Sequence, residues 1–127
     1  MGKTQFYRCE GCGNFVMIIG EKTGCTPKCC GETMKLLEPN RTDAAVEKHV
    51  PQAEITGDVV KVQVGSAVHP MLPEHHIQFI ALETEKTVQI NYLEPGEEPA
   101  AEFRVGSDKP VAVYEYCNLH GLWAADL

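Results

Sequence analysis

From Val59 onward the chain alternates apolar and polar positions in short runs. Val59-Val60-Lys61-Val62-Gln63-Val64 and Thr87-Val88-Gln89-Ile90-Asn91-Tyr92 both keep the two-residue period of a half-buried strand. Ile77 to Leu82 and Val111 to Tyr116 are denser β-rich runs, and they predict two further strands. Pro70, Pro73, Pro95-Gly96, Pro99 and Pro110 punctuate them as turns. Short strands with turn signals at this spacing predict a mainly β protein whose larger part is an immunoglobulin-like antiparallel β-sandwich. No long helical period, internal repeat or low-complexity tract appears. Upstream the pattern changes: Phe15 to Ile19 reads as one short strand and Gly20 to Gly24 as a turn. Pro39 to Val46 reads as a connection holding one helical turn at most, Ala44-Ala45-Val46 behind a Thr42 or Asp43 cap. Two domains are therefore expected, a small lobe over 1–38 and the sandwich over 39–127.

Composition narrows the function classes. The chain has 127 residues and a formal net charge of -7, with no Lys/Arg run, which argues against a nucleic-acid partner. No apolar run approaches the ~20 residues that span a bilayer, and Met1-Gly2-Lys3-Thr4-Gln5 lacks a signal-peptide core, so a cytoplasmic protein without a membrane partner is expected. Five of the six cysteines, Cys9, Cys12, Cys25, Cys29 and Cys30, crowd into the small lobe. In a reducing compartment such a cluster reads as metal ligands before disulfides.

Cys9-Glu10-Gly11-Cys12-Gly13 is a metal knuckle, and two further thiolates would close a tetrahedral site for zinc or iron. Metal would then compensate for a core too small to hold the lobe. Spacing leaves two sets open. Cys9, Cys12, Cys25 and Cys29 would make a ribbon-like site, whereas Cys9, Cys12, Cys29 and Cys30 would use two adjacent cysteines. Near the other end, Glu115-Tyr116-Cys117-Asn118-Leu119-His120-Gly121 carries a Cys and a His three apart beside the single tryptophan, Trp123. The pair can face one ion across a tight turn if Asn118 takes left-handed backbone and Gly121 relieves the exit. His49 and His69 each stand close before a proline, a stiff platform for an imidazole. His75 and His76, if on a strand, point to opposite faces, and His75 shares its side with Ile77, Phe79 and Ala81. His75 is therefore the better candidate ligand.

These motifs carry a resemblance to a family. Tyr7-x-Cys9-x-x-Cys12-Gly13-Asn14, then Cys29-Cys30-Gly31 and Met34-Lys35-Leu36, resembles the desulforedoxin type of lobe. That resemblance implies one iron held by Cys9, Cys12, Cys29 and Cys30, leaving Cys25 outside. Glu47-Lys48-His49-Val50-Pro51, Val68-His69-Pro70-Met71, His75 with Ile77-Gln78, and Glu115 to Gly121 together resemble superoxide reductase in its two-iron form, desulfoferrodoxin. The resemblance implies a second, catalytic iron with His49, His69, His75 and His120 around it and the Cys117 thiolate axial, opposite an open position. It further implies one-electron reduction of superoxide to hydrogen peroxide without oxygen release, serving detoxification. Lys48 would draw in the anion and Glu47 would return to the open position after product leaves. A rubredoxin-like electron donor and a homodimer are implied as well, and zinc can replace iron at the four-cysteine site of a recombinant sample. A non-enzymatic two-metal module or a pure electron carrier is the competing reading. Four imidazoles and a thiolate exceed what a closed zinc site needs, and a carrier would leave Glu47 and Lys48 unused.

Overall fold

The computed structural model describes residues 2–20, 23–41, 49–65 and 70–127. The expected helical turn at Ala44 to Val46 lies outside them, as do Glu47, Lys48 and His69. The described residues contain strands and no helix, so none is long and apolar enough to cross a membrane. They fall into two compact units, Lys3–Glu38 and a larger one made of Pro39–Leu127 with Gly2.

The smaller unit holds β1 (Phe6–Arg8), β2 (Phe15–Met17), β3 (Lys28–Cys29), β4 (Glu32–Thr33) and β5 (Lys35–Leu36). β1 lies between β2 and β5 in an antiparallel sheet, and β3 pairs with β4 as a hairpin. Its apolar interior is little more than Phe6 and Met34, with Phe6 and Phe15 in ring contact at 5.5 Å. So small a core gives little burial to offset chain entropy. β2 stops two residues short of the expected Ile19, which is 80% exposed.

The larger unit is a sandwich. β6 (Pro51–Thr56), β7 (Val59–Val64) and β10 (Ala100–Arg104) form one sheet in the order β10-β7-β6. β8 (Ile77–Thr84), β9 (Val88–Tyr92), β11 (Pro110–Cys117) and β12 (Gly121–Asp126) form the other in the order β12-β11-β8-β9. Val60, Val62 and Val64 of β7 face Ile77, Ile80 and Leu82 of β8, with Val113 and Cys117 of β11 and Phe103 of β10. This is the alternation of the sequence turned into a core.

Two details depart from the simple pattern. Tyr116 pairs with Phe79 but Cys117 pairs with Ile77, so Gln78 is an extra residue in β8 at that point. The bulge moves Ile77 to the core side with Ile80 and Leu82, away from Phe79 and Ala81, and the expected common face of His75, Ile77, Phe79 and Ala81 does not form. Moreover, both faces of the β8–β11 pair are buried: Phe79, Ala81, Tyr114 and Tyr116 lie opposite Ile80, Leu82, Val113 and Glu115, and all are under one-tenth exposed. That explains why β8 and β11 read as dense apolar runs where β7 alternates. Gly2 lies on this second face. A Cβ there would press into the Tyr114 hydroxyl and come within 3.1 Å of Glu83 Oε1.

Candidate metal centres

In the smaller unit the turn after β1 brings Cys9 and Cys12 together. The Cys12 N–H donates to Cys9 Sγ at 3.4 Å, the Gly13 N–H to Cys9 O at 2.9 Å, and Gly13 has a φ of 81°. The β3–β4 hairpin supplies Cys29 and Cys30. Cys30 is the one non-glycine residue with positive φ among the described residues, at 54°, followed by Gly31 at 76°. This left-handed kink lets two adjacent cysteines turn their sulfurs to one point, at a backbone cost of about 1–3 kcal/mol. The four Sγ atoms of Cys9, Cys12, Cys29 and Cys30 all lie within 4.8 Å of one another, and none is in a disulfide. Cys25, on an exposed turn, is outside the cluster.

The donor set fits a tetrahedral metal. Bonds of ~2.3 Å to sulfur require S···S separations of about 3.8 Å. Cys12 to Cys29 measures 3.6 Å and Cys29 to Cys30 3.9 Å. Gly11 is part of the same cradle, since a Cβ there would come within 3.3 Å of Cys30 Cβ and 3.7 Å of Cys9 Sγ. The electrostatics are uneven. The Cys12 amide draws the Cys9 thiol down to about 7, whereas hydrogen bonding from Cys12, Cys9 and Cys29 pushes Cys30 up to about 12. Cys29 is also raised, chiefly by its contacts with Cys9 and Cys12. One negative charge therefore settles readily in the cluster, and further charges need a cation.

In the larger unit, Cys117 ends β11 with its side chain fully buried, and the turn to β12 carries His120, which is exposed. Cys117 Sγ lies 3.8 Å from His120 Nδ1, and His49 brings a third donor atom to the same cluster. His49 is 3% exposed and precedes β6. The His75 ring meets His120 edge-on at 5.0 Å, and the His49 ring lies 4.8 Å from that of His120. Three imidazoles and one thiolate thus converge, and the set suits a transition metal with mixed N and S donors. His75 is not on β8. It closes a turn by exchanging backbone hydrogen bonds with Leu72, at 2.9 and 3.0 Å, and this turn, with no strand alternation involved, sets its direction.

Two residues give this arrangement its rigidity, and the sequence reading assigned neither of them that part. Trp123 stacks on His49 at 4.8 Å and 19°, and its Nε1–H donates to His120 O at 3.1 Å. Asn118 keeps ordinary backbone, and Gly121 alone in that turn is left-handed, with a φ of 85°. What Asn118 contributes is its side chain: Oδ1 accepts from the His76 N–H at 2.9 Å and Nδ2 donates to Glu74 O at 2.9 Å. Its own N–H donates to His76 O at 3.2 Å. Three hydrogen bonds thereby fasten the segment that carries His75 to the turn that carries Cys117 and His120. His76 contributes through its backbone to this clamp.

Described residues that form strands alone, with four thiols gathered on a small lobe and a His/Cys cluster at the end of a sandwich, define a metal-binding protein with two unlike centres. Comparison with known proteins agrees. The family described as "Desulfoferrodoxin" matches residues 41–126, and "Desulfoferrodoxin, N-terminal domain" matches residues 2–37. The chain belongs to the desulfoferrodoxin family. It is 46% identical over 119 residues to a desulfoferrodoxin homolog of Archaeoglobus fulgidus, covering 94% of each chain. It is 45% identical over 124 residues to the desulfoferrodoxin of Syntrophotalea carbinolica, covering 98% of this chain and 97% of that one. Among solved structures, the superoxide reductase from Treponema pallidum matches with a TM-score of 0.85 at 32% identity, over 98% of both chains.

Proposed function

We infer that this oxidoreductase reduces superoxide to hydrogen peroxide by one electron, without producing oxygen. The site is an iron centre made by His49, His69, His75, His120 and Cys117. The observation that carries the reading is the meeting of the buried Cys117 thiol with His49 and His120, and of the His75 ring with His120, in a chain of this family. Iron held by these residues would supply one electron to a bound anion.

The chain's own residues account for the rest. Imidazole ligands would add no negative charge to the cation, so the centre would stay positive enough to attract an anion, and the Cys117 sulfur would donate electron density that favours the oxidised state. Exposed His120 marks the side on which anion and water arrive. Superoxide takes up one electron and two protons to leave as hydrogen peroxide, and solvent on that side delivers the protons. Lys48 counters the repulsion of a chain carrying a net charge of -7, and Glu47 would serve as a carboxylate ligand to the iron between turnovers.

In the lobe over 1–38, Cys9, Cys12, Cys29 and Cys30 bind a second iron, structural or an electron relay, and zinc can take its place. Each turnover needs one electron from outside, which we assign to a small rubredoxin-like carrier. A homodimer in the cytoplasm, where thiols stay reduced and superoxide must be removed, completes the reading.

The test is a stoichiometric pulse of superoxide onto anaerobically reduced, iron-quantified protein, with hydrogen peroxide and oxygen both assayed. Growth of the thiolate-to-iron absorption with one peroxide per ferrous centre and no oxygen is expected. Full iron sites with a flat spectrum and no peroxide beyond spontaneous dismutation would overturn the assignment.

A further inference from the structure

The four sulfurs of the small lobe are close enough to bond to one another as well as to a cation. Cys12 Sγ lies 3.6 Å from Cys29 Sγ, 17 residues away along the chain. Cys12 is exposed and Cys29 partly so, whereas Cys9 is buried. Cys30 is exposed too, with Cys29 Sγ at 3.9 Å, but the two are chain neighbours. Neighbouring Cα atoms sit ~3.8 Å apart, short of the roughly 4.4–6.8 Å that a disulfide ordinarily spans, so Cys29 and Cys30 make a poor pair. Cys25, the fifth thiol of the lobe, is exposed on a turn outside the cluster, where its N–H donates to Thr23 Oγ1 at 3.4 Å. Among these thiols, Cys12 and Cys29 therefore combine access to solvent with a partner already at contact distance.

Exposed thiolates are oxidised by peroxide, and peroxide is the product assigned above. We propose that the four-cysteine centre is a reversible oxidation site, at which hydrogen peroxide joins Cys12 to Cys29 and releases the metal. The proposal rests on the assigned reaction only for the source of its oxidant. Cys12 Sγ attacks one peroxide oxygen and the O–O bond breaks, leaving a sulfenic acid on Cys12 and, with a proton from solvent, one water. Cys29 Sγ then attacks that sulfur, the S–O bond breaks, and the oxygen leaves with a second solvent proton as another water. The two sulfurs give up two electrons between them, and the peroxide accepts both. Cys9 and Cys30 remain as thiolates, too few to close a tetrahedral site, so the cation departs. The fold favours that outcome. Cys30 holds a left-handed backbone, φ 54°, that convergence on one cation maintains and that relaxes once the cation goes. The apolar interior is little more than Phe6 and Met34, so a cross-link must replace the metal, and the disulfide supplies one by tying the turn after β1 to β3. The chain thus carries, on a unit separate from the His/Cys cluster, a site that reads the level of its own product.

The test adds hydrogen peroxide in increasing amounts to the anaerobic full chain with both centres loaded and the metal counted. A coloured chelator reads the released metal, and mass spectrometry of unreduced peptides identifies the bonded cysteines. One metal released per Cys12–Cys29 disulfide is expected, and a dithiol reductant with added metal should restore the starting content. With zinc in the four-cysteine centre and iron in the other, zinc should leave in the same ratio, because the electrons come from sulfur. Cys25→Ser lies outside the cluster and should leave the release unchanged. Metal retained under a large excess of peroxide, metal lost with sulfinic or sulfonic acids in place of a disulfide, or a bond that joins Cys25 or Cys30 instead would each overturn the proposal. Because the peroxide is added from outside, a chain that failed to reduce superoxide would still give one of these results, and the two failures are told apart.

Discussion

Replacing Asn118 with alanine tests whether the clamp between the two ligand-bearing segments matters to the metal. The substitution removes two side-chain hydrogen bonds, one to the His76 N–H and one to Glu74 O, each 2.9 Å long, and leaves the backbone bond from residue 118 to His76 O in place. At about 0.5–1.5 kcal/mol each, their loss amounts to roughly 1–3 kcal/mol. That energy holds His75 near Cys117 and His120, so it falls on any state that needs all three together. Metal affinity at the His/Cys centre should drop by about 5- to 150-fold, while the four-cysteine centre is untouched. Competition with a chelator, followed at the thiolate-to-metal absorption expected of that centre, measures the change. Asn118→Asp keeps the acceptor for His76 but sets a carboxylate against Glu74 O, so it should lie between the alanine variant and the wild type. Wild-type affinity in the alanine variant, with an unchanged melting temperature, would refute the clamp.

Three further outcomes follow from the geometry. Tyr114→Phe deletes a 2.9 Å hydrogen bond from the hydroxyl to Glu83 Oε1 between two buried residues; the larger unit should lose about 1–3 kcal/mol, lowering Tm by roughly 5 °C or more in calorimetry. In the small lobe the Cys29 and Cys30 thiols are both raised above 9.0 and stay protonated near neutral pH, while Cys9, lowered to about 7, is already a thiolate above that pH. Both must release a proton when metal enters, so log affinity should climb by roughly two or more per pH unit between about pH 7.5 and 8.5; a slope near one would contradict the uneven thiols. Lys48→Ala should slow the encounter with superoxide and flatten its dependence on ionic strength, and an unchanged rate and salt slope in pulse radiolysis would remove the steering role.

Four strands of the sandwich were legible because burial on one or both faces leaves a mark in the sequence. β7 shows it as alternation, and β8 and β11 as continuous apolar runs. β6, β10 and β12 went unread, and each is an edge strand. Pro51 to Thr56 and Ala100 to Arg104 have mixed composition and exposed alternate positions, so neither period nor apolar density sets them apart from loops. The first residue of β12, Gly121, belongs to the Cys117 to Gly121 motif, which reads as a turn because its chemistry is louder than its backbone.

At the sites, the legible part was the residues with unusual chemistry, and the illegible part was what aims them. Cys29 and Cys30 looked constrained as neighbours, and the fold answers with a left-handed Cys30 followed by Gly31. A bulge at Gln78 is invisible in an apolar run, since one more residue changes no composition, yet it decides which side of β8 meets the core. For the same reason, face-counting from His75 fails. His75 is directed by its turn with Leu72 and by the Asn118 clamp, two devices made of backbone groups and one amide. The division of labour is physical: ligands must be Cys or His because the metal demands those atoms, whereas any element that supplies a donor and an acceptor at the right distance can hold them. A substitution that destroys the site without touching a ligand should therefore fall most often at Asn118, Trp123 and Gly121.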